Sequence, residues 1–378
     1  MRTEQRHWTA ANGWSTSEAT LGGSARLVLA FGSRARLLQV ELRRELRAAY
    51  PQAILFGCST AGEILSTQLA DDSIVATALE FDRVNVRGGC VQINETRDSR
   101  EVGVRLARTL DPQGLVHVFV LSDGLQVNGS DLVQGLAESL PEGVAVTGGL
   151  SGDGPDFKQT CVLWEDRAEP GLVAAIGFYG TALKVGFGSL GGWSPFGPER
   201  LITRSEGNVL YALDDTPALD LYKHYLGDQA AGLPATALHF PLGVRDPESC
   251  TSLVRTVLAV DEAQHSMIFA GNVPQGHRAR LMKSNVTGLI RGATDAAEAA
   301  QTMLGPTKPQ LALLVSCVGR RLVLKQRTEE ELESVGAVLG PDTEIAGFYS
   351  YGEISPLGPS TRCELLNETM TITLLSEA

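Results

Sequence analysis

The pattern of apolar and polar residues repeats one strand–helix–strand arrangement three times along the chain. In each copy, a short apolar run is followed by a segment with leucines at helical spacing, a proline, and a second apolar run that leads into glycine or a polar turn. The first runs are Leu27–Phe31, Leu115–Leu121 and Leu311–Val315, and the second runs are Ala53–Phe56, Val144–Thr147 and Glu344–Ala346. The third helix is expected to open with Thr328 and Glu331 in capping-box spacing.

The first and third copies carry the same residue at five positions when aligned at an offset of 290 residues. The matching pairs are Pro51 and Pro341, Gly57 and Gly347, Gly62 and Gly352, Glu63 and Glu353, and Ile64 and Ile354. We interpret this agreement as an internal duplication. The alternative is that the copies are unrelated and only use the same turn residues, because proline often follows a helix and glycine often follows a strand.

Alternating β-branched sequence after each copy predicts further strands. Ser73–Val91 is expected to form a hairpin and Thr369–Leu375 a closing strand. The whole pattern predicts an α/β fold of two domains, with layered mixed β-sheets, packed helices and an internal strand–helix–strand pseudo-repeat. Glycine and proline at Gly188–Gly197 indicate a domain junction. The expected divisions are an N-terminal extension at 1–24, an N-terminal domain at 25–195 and a C-terminal domain at 196–378.

Glycine is in excess, at 41 of 378 residues, or about 11% against a usual share near 7%. Many of these glycines follow predicted strands, and ligands of open α/β sheets bind beyond the carboxyl ends of the strands. Two turns are therefore candidate ligand-binding segments, comprising Gly57, Cys58, Ser59, Thr60 and Glu63 in one and Tyr349, Ser350, Tyr351 and Glu353 in the other. A helix beginning after Gly62 would offer N–H groups to an anionic ligand. The alternative is a tight turn of buried small residues.

Three side chains in these turns raise the question of catalysis. Cys58 is either a nucleophile of a hydrolase or transferase, activated by a nearby histidine, or a small buried thiol. Glu63 and Glu353 are either a carboxylate pair for acid–base chemistry, or each fixes its own turn. The sequence lacks the P-loop, zinc-protease, nucleophile-elbow and kinase motifs. We therefore expect a protein that is not an enzyme.

The net charge limits the classes of partner. With 44 acidic and 32 basic residues, the chain carries −12 and lacks the basic clusters that bind nucleic acid or an anionic membrane. Its most hydrophobic run, Leu115–Leu121, is far shorter than the roughly 20 residues that span a bilayer. The six cysteines are scattered and form no Cys-x-x-Cys pair, and no secretory signal core is present. These features predict a cytoplasmic protein with reduced thiols.

One histidine has strongly apolar neighbours. His239 lies in the segment Ala237–Leu242 (ALHFPL). Such surroundings keep an imidazole neutral, which suits an axial ligand of haem iron. The alternative is a structural histidine, and the residues alone leave both open.

Several motifs occur in the order found in one protein family. A resemblance to the FIST sensory domain, in its N-terminal and C-terminal halves, is carried by Gly57–Ile64 (GCSTAGEI), Ser205–Asn208 (SEGN), Pro217–Leu219 (PAL), Gly347–Pro356 (GFYSYGEISP) and Cys363–Thr371 (CELLNETMT). The resemblance covers about residues 25–376. Leu366 and Glu368 depart from it, since more polar or amide residues are expected there.

The resemblance implies an intracellular sensor that binds a small ligand and regulates a partner, such as a two-component histidine kinase or a cyclic-dinucleotide signalling protein. It also makes the chain similar to stand-alone members such as the NosP haem proteins, which sense nitric oxide. The expectation is therefore haem b held by His239, with nitric oxide as the signal and a homodimer as a further arrangement. The alternative is a sensor of an amino acid or another metabolite, bound at the two glycine-rich turns.

Overall fold

The computed structural model describes residues 1–16, 18–248, 252–357 and 362–378. The strands before residue 191 are β1 (Arg2–Thr9), β2 (Gly13–Trp14), β3 (Leu27–Gly32), β4 (Ile54–Ser59), β5 (Glu63–Leu65), β6 (Gln68–Ala70), β7 (Ile74–Glu80), β8 (Asn85–Gln92), β9 (Leu115–Ser122), β10 (Ala145–Leu150), β11 (Val162–Trp164), β12 (Arg167–Glu169), β13 (Leu172–Tyr179) and β14 (Leu183–Leu190). The later strands are β15 (Ser194–Glu206), β16 (Val209–Leu213), β17 (Thr216–Pro217), β18 (Leu242–Arg245), β19 (Ser252–Arg255), β20 (Val257–Asp261), β21 (Ser266–Phe269), β22 (Arg278–Lys283), β23 (Leu311–Cys317), β24 (Glu344–Ser350), β25 (Gly352–Pro356), β26 (Cys363–Leu366) and β27 (Met370–Glu377). The α-helices are α1 (Arg34–Leu37), α2 (Val40–Ala49), α3 (Ser99–Arg108), α4 (Gly129–Ser139), α5 (Ala218–Leu226), α6 (Val286–Leu304), α7 (Val318–Leu324) and α8 (Thr328–Leu339).

The three strand–helix–strand copies are confirmed. In each, the two strands pair in parallel, as β3 with β4, β9 with β10, and β23 with β24. A helix connects the strands of each pair, namely α2, α4 and α8. A later strand, β7, β13 or β27, pairs antiparallel with the first strand of its copy. The predicted α/β fold with mixed sheets is therefore correct.

Three sheets are built on one plan, with a strand hairpin exchanged between them. The sheet orders are β12-β11-β4-β3-β7-β1-β2, β26-β25-β10-β9-β13-β8 and β6-β5-β24-β23-β27-β14. The hairpin that follows the second strand of a copy always joins another sheet: β5 pairs with β24, β11 with β4, and β25 with β10. The exchange is cyclic, so the three copies form one closed arrangement, which we call the three-sheet core.

The first strand of each copy is buried on both faces, which explains its continuous apolar sequence. Alternate side chains point to opposite faces of a strand. One set forms a cluster shared by all three sheets, which includes Leu27, Leu29 and Phe31, Phe119 and Leu121, and Leu311, Leu313 and Val315. The intervening residues pack toward helices, as Val28 and Ala30 do near Leu42 and Leu46 of α2. The three sheets thus enclose a common interior and carry helices outside.

Residues 194–283 form a separate element, which we call the inserted module. Its strands make an eight-stranded sheet in the order β19-β18-β22-β15-β16-β21-β20, with β17 on β16. Its apolar cluster draws only on residues between Ile202 and Leu281. It begins within the predicted junction Gly188–Gly197, and after it the chain returns to the three-sheet core. The division at 195/196 stays a prediction, although strands from both sides of it share two sheets.

Two local predictions are wrong. Ser73–Val91 is not a hairpin, because β7 pairs with β1 and β3 whereas β8 pairs with β13 in another sheet. Glu331 does not complete a capping box. Its carboxylate is fully buried and accepts hydrogen bonds from the Arg320 guanidinium and the Tyr349 hydroxyl. In both cases a partner distant in sequence replaces the local one.

The Glu377 carboxylate joins the last strand to the turn between β7 and β8. It accepts hydrogen bonds from the backbone N–H groups of Asp82, Arg83 and Val84 at 2.9, 2.5 and 2.8 Å. Burial raises the pKa of this carboxyl, but the backbone donors, together with the N-terminal ammonium 3.0 Å away, outweigh burial and lower it to about 2. A lowered pKa stabilises the fold above the unfolded-state value near 4.3, and this stabilisation is lost as pH falls toward 2.

We expect Glu377→Gln to lower the free energy of unfolding at pH 7 by about 1–2 kcal/mol, since a neutral amide is a weaker acceptor. The deficit should shrink toward pH 2–3, where the native carboxyl is itself being protonated. Urea unfolding at pH 7 and pH 3 measures both values. Glu142→Gln, at an exposed glutamate, is the control and should change neither. Equal effects of the two substitutions would contradict this role.

Candidate functional site

The two predicted glycine-rich turns meet a third turn at the centre of the three-sheet core. We call the three segments, Ser59–Gly62, Leu150–Asp153 and Tyr349–Gly352, the axial ring. The Ala61 N–H donates to the Tyr349 carbonyl at 2.8 Å, Gly152 to Ser59 at 2.8 Å, and Tyr351 to Leu150 at 3.2 Å. Each turn therefore donates to one neighbour and accepts from the other, which closes the cycle.

One glycine of each copy allows the two parallel strands to approach before the axial ring. A Cβ on Gly57, Gly148 or Gly347 would lie 1.8, 1.8 or 1.9 Å from a carbonyl oxygen of the neighbouring strand. Such distances are far below contact distance, and the obstacle is backbone, which cannot rotate away. Part of the glycine excess is therefore explained by close strand packing and not by ligand contact.

In the first and third copies, a buried carboxylate accepts hydrogen bonds from the turn that follows the second strand. Glu63 accepts from the hydroxyls of Thr60 and Ser73. Glu353 accepts from the Ser350 hydroxyl at 2.7 Å and from the hydroxyl and N–H of Thr369. Burial, partly offset by these hydrogen bonds, raises the pKa of Glu63 to about 7 and that of Glu353 to about 8. These hydrogen bonds match the interpretation that each carboxylate fixes its own turn.

The second copy uses Asp123, which the sequence comparison missed because it follows the first strand and not the second. Its carboxylate accepts from the backbone N–H groups of Leu125 and Gln126 and from the Thr160 hydroxyl. It also accepts from the Gly171 N–H at 2.9 Å, which ties down the start of β13. The sequence Ser122-Asp123-Gly124, an acidic residue in a turn directly after a buried strand, could have indicated this role.

The predicted ligand-binding residues lie mainly inside the axial ring or beneath it. Gly57, Cys58, Ser59, Tyr349, Ser350 and Glu353 are buried. Thr60 and Glu63 border a cavity of about 290 Å³, and Tyr351 borders another of about 290 Å³. The helix expected after Gly62 is absent, because β5 begins at Glu63. The expected helix N-terminus for an anion is therefore not at this turn.

Cys58 is a buried thiol. Burial raises its pKa well above the ordinary value, so the reactive thiolate is disfavoured. Its strand neighbour in β11 is Val162. This environment matches the structural alternative and gives no support to a thiol hydrolase or transferase.

His239 lies at the end of a short 3-10 helix, Ala235–His239, and its side chain is exposed. Although the residue is exposed, desolvation of its ring by neighbouring groups, followed by the nearby Lys325 charge, lowers its pKa. Within the part of the chain that the structure describes, it borders neither of the two 290 Å³ cavities near the axial ring nor the cleft of about 430 Å³ beside Arg255. Haem requires an enclosed apolar slot around its iron ligand, and the residues around His239 do not fit that requirement.

A different cleft lies between the inserted module and the three-sheet core. It has a volume of about 430 Å³ and is lined by Arg255, Asn272, Asp246 and His277 of the module and by Ser130 and Glu364, among others, of the core. The cleft is therefore built from three separate parts of the chain, within 130–134, 244–277 and 357–364. It lies where a bound molecule would contact both parts of the protein.

Arg255 is the unusual residue of this cleft. Its side chain is 4% exposed, and its guanidinium donates to the carbonyls of Asn272 at 3.0 Å and Leu365 at 2.8 Å and, more weakly, to Val254. Among the described residues, Nη2 has no acceptor and no carboxylate lies within 4 Å of the guanidinium. Burial lowers the pKa of Arg255 to about 10, and the Glu364 charge opposes this shift. Buried charges are ordinarily paired.

Asn272 connects the cleft to helix α4. Its backbone N–H donates to the Ser130 hydroxyl at 3.2 Å, and its side-chain amide donates to Asp131 at 2.9 Å. The Asn128 amide donates to the Asn272 side-chain oxygen at 3.0 Å. Sequence reasoning missed this site, although an arginine inside the apolar stretch 253–260 was a usable signal.

Two domains of one known protein family match this chain. The FIST N domain matches residues 26–216 and the FIST C domain matches residues 218–356. The chain belongs to the FIST family. FIST domains are associated with the sensing of small ligands in signal transduction. The two matched segments of this FIST protein meet at residue 217, inside the inserted module.

Solved structures similar to the FIST protein are distant. A chorismatase is 11% identical, with 99% of this chain and 98% of that chain covered and a TM-score of 0.36. A cyanuric acid hydrolase from A. caulinodans is also 11% identical, with 100% and 98% covered and a TM-score of 0.33. A search of curated proteins gives no significant match. Over the described residues, no helix combines the length and apolar character needed to cross a bilayer.

We expect Gly57→Ala to destabilise the protein by about 3 kcal/mol or more, because the new methyl would overlap the Ala30 carbonyl and force the parallel strands apart. Gly23→Ala is the matched control, since no atom lies within 4 Å of a Cβ at Gly23. Urea unfolding measures both. Similar stability of the two variants would show that the strands can separate without penalty.

Proposed function

We propose that this FIST protein senses a small carboxylate-bearing metabolite, specifically an α-amino acid, that binds in the cleft between the inserted module and the three-sheet core. The observation that carries the proposal is the buried Arg255 guanidinium, which forms no ion pair within 4 Å with any carboxylate of the described residues. A guanidinium binds a carboxylate through two parallel hydrogen bonds, and burial strengthens that interaction. A ligand carboxylate would supply the missing partner.

The charges around Arg255 favour a zwitterion over a simple acid. The carboxylates of Asp246 and Glu364 line the same cleft. Among the described residues, the nearest cationic side chains to these carboxylates are not close: His277 lies 3.9 Å from Asp246 and Arg362 lies 4.0 Å from Glu364, while one Asp246 oxygen accepts from the Glu248 N–H at 2.9 Å. An ammonium group would find acceptors there while the carboxylate of the same ligand contacts Arg255. A cleft of about 430 Å³ is within the size range of small-molecule sites.

Binding at this place has a direct route to a conformational signal. Arg255 contacts the Leu365 carbonyl of β26, and Asn272 contacts α4, so the ligand would lie across the contact between the module and the core. A ligand that prefers the closed cleft shifts the population toward it. We propose that this change is read by a partner in the cytoplasm, either a histidine kinase or a cyclic-dinucleotide signalling protein, and that the protein itself is not an enzyme.

Screening proteinogenic amino acids at millimolar concentration should reveal one or a few that raise the melting temperature of the protein, because ligands of the native state stabilise it by mass action. Calorimetric titration with such an amino acid then compares variants. Arg255→Lys should weaken binding by roughly 30-fold or more, since one ammonium cannot replace a bidentate guanidinium.

Arg278→Lys, at an exposed arginine of β22, is the matched control and should bind as tightly as the unaltered protein. Far-ultraviolet circular dichroism verifies that both variants fold. The proposal fails if no amino acid changes the melting temperature, or if Arg255→Lys binds with unchanged affinity.

Haem b with nitric oxide as the signal is the rival proposal, and it is supported by the family resemblance alone. Titration of the purified protein with haemin tests it through the Soret absorption of bound haem. We expect no protein-dependent Soret band, because His239 is exposed and lies outside the cleft. A band that His239→Ala removes would instead establish the haem sensor.

A further inference from the structure

Glu368 lies beneath the inserted module, in the connection between β26 and β27. Its side chain is completely buried. Its backbone has φ +59°, a left-handed conformation that is unfavourable for most residues other than glycine and asparagine. Such strain persists only where surrounding contacts impose it, and it is frequent at functional positions.

The inserted module contacts Glu368 directly. The Thr256 hydroxyl, in the module, donates to Oε1 at 3.0 Å, and the indole N–H of Trp193, next to the start of the module, donates to the Glu368 carbonyl at 2.8 Å. On the core side, the carboxylate lies against Gly319, where a Cβ would be 2.2 Å from Oε1. Glu368 is therefore part of the contact between module and core.

One oxygen of this carboxylate is left without a partner. Oε2 is buried and has no hydrogen-bond donor among the described residues. The nearest cation is Arg320 of α7, but its guanidinium donates to the Glu331 carboxylate and to backbone carbonyls, including that of Glu368 at 3.4 Å. An ionised carboxylate in this place would bury an oxygen with no donor, which is unfavourable.

We propose that Glu368 is a proton-binding site that controls how firmly the inserted module is docked on the three-sheet core. The carboxyl is neutral while Thr256 and the module cover it. When the module separates from the core, water reaches the carboxyl, it ionises, and its proton passes to solvent. Docking of the module therefore takes up one proton. This inference goes beyond the proposed function and needs no ligand.

The neighbouring ionisable groups are consistent with titration at Glu368. Burial, partly offset by the Thr256 hydrogen bond and the Arg320 charge, raises the pKa of Glu368 to about 7. Cys317 of β23 stays neutral, because burial raises its pKa well above the ordinary value. Burial, with a smaller contribution from the Glu368 charge, raises the pKa of Glu353 of β25 to about 8, but this carboxyl bonds to Ser350 and Thr369 of the core and not to the module.

The direction of the pH dependence follows. Because the pKa of Glu368 is raised in the docked state, its protonation stabilises docking. The full stabilisation is present below about pH 4.3, the pKa of a solvent-exposed glutamate, and it is lost as pH rises through about 7. From pH 6 to pH 8, the ratio of separated to docked forms should increase roughly tenfold. The change falls within the range of pH in which many cells operate.

Hydrogen–deuterium exchange of the ligand-free, full-length protein tests the inference. The Asn272 N–H of the module donates to the Ser130 hydroxyl of the core at 3.2 Å, so its exchange reports on the contact between module and core. After correction for the intrinsic pH dependence of exchange, the Asn272 N–H should exchange roughly tenfold faster at pH 8 than at pH 6. Peptides of β23 in the core should exchange at the same corrected rate at both pH values. Equal corrected rates for the Asn272 N–H at both pH values would overturn the inference.

Glu368→Gln removes the titrating group with little change of shape, and it should abolish the difference between pH 6 and pH 8. Glu353→Gln is the control and should preserve it; loss of the difference in this variant would assign the effect to Glu353 and overturn the inference. Carbon-13 NMR of the glutamate carboxyl groups in the unaltered protein gives a second test that needs no variant. A Glu368 midpoint at the ordinary glutamate value would also overturn the inference.

Discussion

The cyclic hydrogen bonding of the axial ring is the constraint on which the rest of the fold depends. Ala61, Gly152 and Tyr351 each donate a backbone N–H to the turn of the neighbouring copy. Backbone polar groups buried in a protein interior must be paired, and each turn of this ring is paired only if both others are in place. The exchanged hairpins extend the same dependence to whole sheets. The three copies are therefore expected to fold and unfold as one cooperative unit.

The axial ring also explains why the glycine-rich motifs of this FIST protein contain so few exposed functional groups. Close approach of strands requires glycine at Gly57, Gly148 and Gly347. The hydroxyls and carboxylates of the turns satisfy one another, as Ser350 and Glu353 do. A conspicuous motif can thus be architectural. The cleft at Arg255, by contrast, leaves a donor group of a buried cation without an acceptor among the described residues.

The parts of the structure that were predictable from sequence are those set by local pattern. Leu115–Leu121 is apolar on both faces and could be assigned to a central strand, and the proline and glycine signals delimited the copies. The parts that were not predictable depend on partners distant in sequence. Nothing in Ser73–Val91 shows that its two strands enter different sheets. Likewise, the Arg255 cleft joins the inserted module to α4 and β26, and no single stretch of sequence contains that arrangement.

The inserted module is joined to the core by two connections that run side by side. Ser194 pairs with Lys283 across β15 and β22, and the Ser284 hydroxyl donates to the Gly192 carbonyl at 2.7 Å. The point where the chain leaves the core and the point where it re-enters are therefore separated by about the spacing between two neighbouring strands, roughly 5 Å. Insertions and deletions confined to the module leave this gap unchanged. The module can thus diverge in size and sequence during evolution while the hydrogen-bonded centre of the protein is preserved.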